Sequence, residues 1–191
     1  MADIKAITGL DGTVYNFRDD YSVWGGNNYL TNSKNEVTGT VPSSSYSDFK
    51  VWSNVVTVNP NDVWTLSFDA KASLDGTKMI SYLYNNTSGI VQCSSVLNSQ
   101  GITGTGTDGN STLTLTTEYQ RYWITWTFND GPAALKTCIA GRLTAANNTA
   151  GTTATLQRIK LEKGHKATDW SPCYKDIFSY DSTNNQLVVN L

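Results

Sequence analysis

Two tyrosines and one arginine are spaced so that they can meet on one face of a sheet. Tyr82 and Tyr84 lie two residues apart in the strand-like run Lys78–Asn85 and therefore share a face, and Arg142 lies in a second such run. Recognition of a sugar needs aromatic planes for the apolar face of a pyranose and polar groups for its hydroxyls. If they meet, these three side chains could supply both kinds of contact, which makes them candidates for a carbohydrate-binding surface.

The opposite orientation of the same runs is the alternative. If both tyrosines point into a core, Met79 and Leu83 are left outside. In the arginine's run, Ile139 and Leu143 are expected on the face opposite Arg142. The side of the sheet on which the tyrosines lie therefore decides between a binding surface and a core.

A tryptophan is the next candidate. In the run Tyr119–Phe128, alternation predicts that Trp123 points away from the apolar face. An outward indole can stack on a sugar, so Trp123 joins the carbohydrate-binding candidates. The alternative is that the N-terminal hairpin or a neighbouring subunit covers it, because exposed large apolar groups promote association. Trp24, in a Gly- and Asn-rich segment, is expected to pack along a linker.

The single histidine limits the chemistry that the chain can perform. His165 lies between Gly164 and Lys166 in an expected loop, which excludes sites that need two histidines. The GxSxG and HExxH motifs are absent. A glycosidase needs only two carboxylates, but no acidic residue is marked as buried or paired. We predict a protein that binds and does not catalyse.

A glycine-rich stretch from Gly104 to Gly109 satisfies the GxGxxG pattern of nucleotide-binding loops. The residues that follow are strand-like and not helical. No helix N-terminus would therefore meet a phosphate group. We predict a loop without a nucleotide.

The composition predicts an all-β protein. Charged residues make up 16% of the chain and aromatic residues 11%, and Thr, Ser, Asn and Gly dominate the polar fraction. Short hydroxyl and amide side chains suit strand faces and turns, whereas helical proteins rely on Glu and Lys. The formal net charge is −2 and the basic residues are scattered. Binding to nucleic acid is not expected, because it needs a clustered basic surface.

Membrane insertion and export are not expected either. No apolar run approaches the roughly 20 residues of a membrane-spanning helix. The segment Met1–Ile7 lacks the basic start and apolar stretch of a secretory signal. Cys93, Cys138 and Cys173 are odd in number and lack zinc-like spacing, which predicts free thiols.

Alternating runs predict an antiparallel β-sandwich. In Val63–Ser73, residues Trp64, Leu66, Phe68 and Ala70 are expected on the core, and Thr65, Ser67, Asp69 and Lys71 in solvent. The apolar face of the second strong run holds Tyr122, Ile124, Trp126 and Phe128. Further strands are expected at Phe49–Val58, Lys78–Asn85, Lys136–Thr144 and Thr153–Lys163.

Two hairpins are expected at the ends of the chain. One pairs Ile4–Thr8 with Thr13–Arg18, and the other lies within Ile177–Leu191. A lone two-stranded hairpin is marginal in water, so both should pack on the core or on another subunit. The predicted organisation is an N-terminal hairpin and linker at 1–24, a sandwich domain at 25–173 and a C-terminal hairpin at 174–191.

Three segments, in order, resemble jelly-roll carbohydrate-binding modules of the family 4/9 type. Val63–Ser73 (VWTLSFDAKAS) is similar to their YTLSFxAKAS strand, and Leu115–Phe128 (LTTEYQRYWITWTF) to their LTTEWQRYSFTFT strand. Leu161–Pro172 (LEKGHKATDWSP) resembles the KLEKGxxATDWSP ending of such modules in bacteriophage and prophage tail proteins. Both ends of the chain are similar to segments of phage tail, baseplate and fibre proteins. Trp123 departs from the second motif, which has a small polar residue there.

The resemblance implies a jelly-roll fold and a virion protein of the tail tip, baseplate or fibre. Such a protein would be made in the host cytoplasm and would bind host cell-wall or surface polysaccharide and other tail proteins. A homo-oligomer, perhaps a trimer held by the terminal hairpins, would raise its avidity. The alternatives are a purely structural tail domain and a binding module of a glycoside hydrolase.

No cofactor is expected, although many modules of this fold hold a structural calcium ion. The acidic residues that could supply oxygen ligands do not have the spacing of a calcium loop. They are Asp19, Asp20, Asp69, Asp75 and Asp108.

Overall fold

The chain folds as an antiparallel β-sandwich of the jelly-roll class, as the sequence predicts. A computed structural model describes residues 6–8, 14–16, 28–52, 56–85, 89–90, 93–101, 103–106, 110–129, 133–135, 137–173, 176, 178–181, 183 and 186–189. Two sheets make up the sandwich, one of six strands and one of five. No helix within the described residues is long and apolar enough to cross a membrane.

The six-stranded sheet has the order β10-β9-β12-β6-β15-β3. Its strands are β3 (Val37–Thr40), β6 (Val63–Ala72), β9 (Cys93–Asn98), β10 (Thr103–Gly106), β12 (Gln120–Phe128) and β15 (Thr153–Lys163). The five-stranded sheet has the order β11-β7-β14-β4, with β8 also paired to β7. Its strands are β4 (Tyr46–Trp52), β7 (Thr77–Asn85), β8 (Gly89–Ile90), β11 (Ser111–Leu115) and β14 (Thr137–Thr144).

Smaller elements complete the described chain. The terminal hairpins are confirmed, with Ile7 opposite Tyr15 in one and Ser179 opposite Val188 in the other. Their strands are β1 (Ala6–Thr8), β2 (Val14–Asn16), β16 (Phe178–Asp181) and β17 (Gln186–Val189). A further two-stranded ladder pairs β5 (Val56–Val58) with β13 (Ala133–Leu135), and a short 3-10 helix covers Ala145–Asn147. What the terminal hairpins pack against stays a prediction.

The core lies between the two sheets, where the predicted alternation places it. On β6 and β12, Leu66 lies opposite Ile124 and Phe68 opposite Tyr122, so both strands present the same apolar face. Directly opposed residues of an antiparallel pair point to one side of the sheet, which keeps this face continuous. The fully buried side chains of the core include Leu66, Phe68, Met79, Leu113, Leu115, Ile124, Trp126, Phe128 and Leu143.

One predicted strand, Phe49–Val58, is wrong, and the other predicted strands of the sandwich hold to within one residue at each end. The run Phe49–Val58 is not one strand, because the chain leaves the five-stranded sheet after β4 and forms β5 in a separate ladder. Thr153–Lys163 is one strand, as predicted, with a β-bulge at Arg158, whose φ of 50° lies in the left-handed region. The expectation of a loop from Gly104 is wrong for the first part of that stretch, because Gly104 and Gly106 lie in strand β10, while residues 107–109 lie outside the described part. A strand, and not a helix, follows from Ser111, as predicted.

The outer face of the six-stranded sheet is not solvent-exposed along its length, which corrects the expectation for β6. Thr65 and Ser67 are completely buried. The Thr65 hydroxyl donates to the carbonyl oxygen of Gly164 at 2.7 Å, and the Arg121 guanidinium donates to both Ser67 Oγ and the carbonyl oxygen of Thr168. The segment after β15, residues 164–169, therefore covers this face.

A buried ion pair fastens that segment. Lys160 is completely buried and Glu162 is 3% exposed, with 3.3 Å between Lys160 Nζ and Glu162 Oε2. Lys160 Nζ also donates to Thr168 Oγ1 at 2.6 Å, and the Thr168 N–H donates to Glu162 Oε1 at 2.9 Å. The ion pair and Thr168 form a network in which charge and hydrogen-bonding groups are mutually satisfied. These contacts give most of the Leu161–Pro172 motif a structural role.

The cysteines follow the prediction of free thiols where their side chains are described. Cys93 and Cys173 are buried and unbonded to another cysteine. The side chain of Cys138 lies outside the described part. Burial of the two thiols within packed surroundings gives them the character of small apolar residues.

The phenol group of Tyr119 is expected to titrate at an unusually high pH. Partial burial, followed by its 2.6 Å hydrogen bond to Glu36 Oε2, raises the pKa of the Tyr119 phenol to about 12. A pKa above the unfolded value of about 10 favours folding while the phenol is protonated, and this contribution is lost as pH rises from 10 to 12. Absorbance titration at 295 nm should show a late tyrosine signal that is missing in Tyr119→Phe. A variant curve identical to the wild type near pH 12 would contradict the assignment.

Candidate functional site

The predicted tyrosine face lies on the outer side of the five-stranded sheet. Along β7, Thr77, Met79 and Ser81 point into the sandwich and are buried. Tyr82 therefore lies on the opposite face, away from the core. The alternative orientation, with Met79 outside, is wrong. The side chain of Tyr84 lies outside the described part of the chain.

Arg142 lies on the same outer face as Tyr82. In the ladder between β14 and β7, Arg142 pairs with Ile80 and Ile139 pairs with Tyr82. Ile139 and Arg142 therefore share a face, which corrects the expectation that they oppose each other. The reason is an irregularity in register between Ile139 and Arg142, which shifts the alternation by one residue. Leu143 points into the core, as predicted.

The guanidinium of Arg142 is held from one side by a carboxylate. Arg142 Nε donates to Asp48 Oδ1 at 2.5 Å, and Nη2 donates to Asp48 Oδ2 at 2.6 Å. The ladder between β14 and β4 places Arg142 directly opposite Asp48, so the two backbones fix this contact. The hydrogen bonds to Asp48 raise the pKa of the Arg142 guanidinium, although burial opposes them. Such a bidentate pair fixes the plane of the guanidinium.

Two aromatic rings lie against that plane. The Arg142 Cζ atom is 3.8 Å from the ring centroid of Tyr46 and 4.9 Å from that of Tyr82. Tyr46 is 54% exposed, whereas Tyr82 is only 7% exposed. Tyr82 thus supports the arginine from below, and Tyr46 presents a ring to solvent. We call Tyr46, Asp48, Tyr82 and Arg142 the tyrosine–arginine platform.

The sequence did not point to two members of this platform. Tyr46 and Asp48 alternate with Ser47 in β4, whereas the strand predicted from the sequence starts only at Phe49. The pairing of Asp48 with Arg142 joins residues that are 94 positions apart. The signal that the sequence does offer is the period-two spacing of Tyr46, Asp48 and Lys50. In the structure, burial lowers the pKa of the Lys50 ammonium group.

Trp123 lies on the other sheet and does not join the platform. It is half-buried on the outer face of β12, between Arg121 and the buried Thr125. A cavity of about 290 Å³ lies between Trp123 and the segment after β15. The lining residues are Arg121, Trp123, His165, Lys166, Ala167, Thr168 and Asp169. Across this cavity, Trp123 faces the segment after β15. Trp24 lies outside the described part.

The described acidic residues do not fit a calcium site. The Asp69 carboxylate pairs with Arg121 at 3.2 Å and with Arg158 at 3.5 Å. Asp75 Oδ1 accepts a hydrogen bond from the Thr117 N–H at 2.8 Å. Within the described residues, no three acidic, cysteine or histidine side chains group as metal ligands. Asp19, Asp20 and Asp108 lie outside the described part.

Comparisons with known proteins give distant structural similarities. No protein-family model and no curated protein matches the chain. A solved structure titled "CBM4 structure and function" is 18% identical, with a TM-score of 0.42 over 68% of this chain and 82% of that one. The N-terminal cellulose-binding domain of a β-1,4-glucanase from Cellulomonas fimi is 22% identical, with a TM-score of 0.43 over 74% and 90%. The baseplate tripod of bacteriophage Tuc2009 is 15% identical, with a TM-score of 0.38 over 86% and 66%.

Proposed function

We propose that the chain is a non-catalytic, carbohydrate-binding component of a bacteriophage tail, and that it binds a host cell-surface polysaccharide through the tyrosine–arginine platform. The observation that carries the proposal is the exposed ring of Tyr46, fixed against a guanidinium that Asp48 holds in place. An exposed aromatic ring next to a carboxylate and a guanidinium supplies both kinds of contact that a sugar needs.

The platform is already ordered before a ligand arrives. Two hydrogen bonds fix Arg142 on Asp48, and the guanidinium in turn restrains the Tyr46 ring through their cation–π contact. Restraining the side chains in advance lowers the entropy that binding would otherwise cost. Arg142 keeps N–H groups that do not bond to Asp48, and these groups and the Asp48 carboxylate can meet sugar hydroxyls.

The place in a phage tail rests on sequence motifs. Leu161–Pro172 resembles the ending of such modules in tail proteins, and the structure gives that ending a defined task in covering the six-stranded sheet. The two terminal hairpins resemble segments of tail and fibre proteins. These features favour a role in host adsorption over a module of a secreted hydrolase.

A purely structural tail domain is the second candidate, and one observation favours it. Tyr82 is 7% exposed, and Arg142 is hydrogen-bonded to Asp48. These two side chains therefore stabilise the sheet itself. In that case Tyr46 would contact another tail protein and not a sugar.

Binding of the intact protein to a glycan array and to purified host cell walls tests the function. Tyr46→Ala should lower binding by about tenfold or more, because the stacking surface is lost. Leu74→Ala, which truncates a side chain that is 50% exposed, is the matched control and should bind like the wild type. Failure of the assembled protein to bind any glycan or wall would favour the structural domain.

The oligomeric state is a further prediction. We expect a homo-oligomer, with a trimer as the first candidate, because weak single-site sugar binding gains from repetition and the terminal hairpins need a partner surface. Light scattering after gel filtration should give a mass of about three times 20.9 kDa. A clean monomer at micromolar concentration would contradict this expectation.

A further inference from the structure

We propose a second ligand site on the outer face of the six-stranded sheet, in the cavity between Trp123 and the segment 165–169, which takes one sugar unit carrying a carboxylate or a phosphate ester. It rests on the proposed carbohydrate-binding function but uses none of the platform residues. The two sites lie on different sheets of the sandwich, so each can be removed without the other.

The cavity has the size and the walls for a single ring. Its volume of about 290 Å³ is at the small end of ligand sites, which begin near ~300 Å³. Strand β12 supplies Arg121 and Trp123 on one side, and the segment after β15 supplies the other. Trp123 offers an indole plane for stacking, and it replaces the small polar residue of the motif that this strand resembles.

Arg121 is fixed in place by four acceptors. Its Nη1 donates to Asp69 Oδ1 at 3.2 Å and to the carbonyl oxygen of Arg158 at 3.1 Å. Its Nη2 donates to Ser67 Oγ at 2.9 Å and to the carbonyl oxygen of Thr168 at 3.4 Å. The β-bulge at Arg158, with its left-handed φ of 50°, accompanies the contact to that carbonyl. Strained backbone that orients a charged group is a recurrent feature of ligand sites.

The opposite wall is equally well fixed. Thr168 lines the cavity and is anchored by Glu162 through its N–H and by Lys160 through its hydroxyl. The backbone carbonyl of the neighbouring Asp169 accepts a further hydrogen bond from Lys160 Nζ at 2.8 Å. Both walls therefore exist before a ligand binds, which reduces the cost of ordering them.

The charge around the cavity favours an anion. The basic and acidic side chains in and directly behind it are Arg121, Arg158, Lys160 and Lys166 against Asp69, Glu162 and Asp169. With His165 counted as neutral, these four positive and three negative side chains give the region a net charge of +1. The whole chain has a net charge of −2. Asp69 and Glu162 are occupied by ion pairs.

The rim supplies groups that can reach a ligand. Among the described residues, the exposed side chains of His165 and Lys166 have no hydrogen-bond partner of their own. The ammonium group of Lys166 is the charge placed to meet a carboxylate or a phosphate. The Asp169 carboxylate, also on the rim, can accept from the ring hydroxyls. A charged substituent with a stacked ring uses all of these groups.

The test is a titration of the intact, isotope-labelled protein with four probes: glucuronic acid, glucose 6-phosphate, glucose and inorganic phosphate. The indole N–H signal of Trp123, identified by its absence in Trp123→Phe, should shift with both charged sugars. Affinity for glucose and for phosphate should be weaker by about tenfold, since each lacks one of the two contacts. Raising the salt concentration should weaken binding of the charged sugars.

Variants separate the contributions. Trp123→Ala should lower affinity for charged sugars about tenfold, and Trp123→Phe should retain most of it. Lys166→Ala should remove the preference over glucose, whereas Lys34→Ala, at an exposed lysine outside the cavity, should not. Equal binding of phosphate alone would show an anion site without sugar recognition and overturn the proposal, as would no shift of the indole signal with any probe.

Binding at the cavity beside Trp123 can be tested separately from binding at the tyrosine–arginine platform. Charged sugars that bind in Tyr46→Ala as well as in the wild type would support this site even if the platform binds nothing. Polysaccharide binding that depends on Tyr46 and not on Trp123, with no binding of the four probes at the cavity, would leave the proposed function standing and remove this inference alone.

Discussion

Replacement of Lys160 by methionine is expected to lower the free energy of unfolding by about 3–5 kcal/mol. The side chain is completely buried against Glu162, so its loss leaves a carboxylate without its counter-charge inside the protein. Thr168 would also lose the ammonium group that donates to its hydroxyl. Urea denaturation followed by tryptophan fluorescence measures the change.

The double variant Lys160→Met/Glu162→Gln separates charge from shape. A glutamine retains an acceptor for the Thr168 N–H, while the buried charge disappears. More than half of the lost stability should therefore return. A double variant that is less stable than Lys160→Met would show that the ion pair contributes by attraction and not by neutralising a charge.

The same lysine predicts how stability depends on pH. Burial lowers the pKa of the Lys160 ammonium group below its usual value of 10.5, although Glu162 opposes this. Between the lowered folded pKa and the unfolded pKa, the unfolded chain binds more protons, so stability should rise with pH in that window. The rise should be smaller in Lys160→Met than in the wild type, with Lys50 contributing the remainder, once the opposing Tyr119 titration is removed from both proteins by Tyr119→Phe.

Replacement of Arg142 by methionine is expected to lower affinity for the polysaccharide by about tenfold to a hundredfold. The substitution removes the hydrogen-bonding fork and leaves Tyr46 without the guanidinium that restrains its ring. Stability should also fall, by about 1–3 kcal/mol, because the ion pair is only about a fifth exposed on both sides and Asp48 loses two hydrogen bonds. Isothermal titration with the best glycan from the array measures the affinity.

Controls for this variant lie within the chain. Arg158→Met removes an arginine that is 63% exposed and pairs with Asp69 on the other sheet, so platform binding should persist. Arg142→Lys keeps the charge but not the bidentate geometry, and should resemble Arg142→Met more than the wild type. Full affinity in Arg142→Lys would mean that only the charge matters and that the fixed plane does not.

The sequence predicted the parts of the fold that depend on local alternation. Val63–Ser73 and Tyr119–Phe128 place Leu66, Phe68, Ile124 and Phe128 in the core because each large apolar residue recurs at every second position. Such a pattern needs no knowledge of what the other face contacts. That Cys93 and Cys173 form no disulfide, and that both terminal hairpins form, followed from equally local arguments.

The errors arise where distant segments meet. Thr65 and Ser67 read as solvent-facing, but a segment about 100 residues further along the chain covers them. A change of register in β14 put Ile139 on the face of Arg142, and a bulge leaves no mark in an alternating sequence. Tyr46 and Asp48 acquire their role only through the pairing of β4 with β14.

Of the predicted site residues, the structure brings two together. Tyr82 and Arg142 share the platform, Trp123 lies on the other sheet, and the side chain of Tyr84 lies outside the described part. The residue most exposed to a ligand is Tyr46, which the sequence did not single out. The alternation of residues in the strands thus predicted which face of the sheet holds the site. The exposed ring of Tyr46 could be identified only from the pairing of the strands.

A crystal structure of the protein with the glycan that binds best on the array tests the central claim most directly. The proposal predicts a sugar ring stacked on Tyr46, with its hydroxyls hydrogen-bonded to Asp48 or Arg142. A sugar bound elsewhere with the platform empty, or a fully assembled protein that binds no glycan at all, would contradict it.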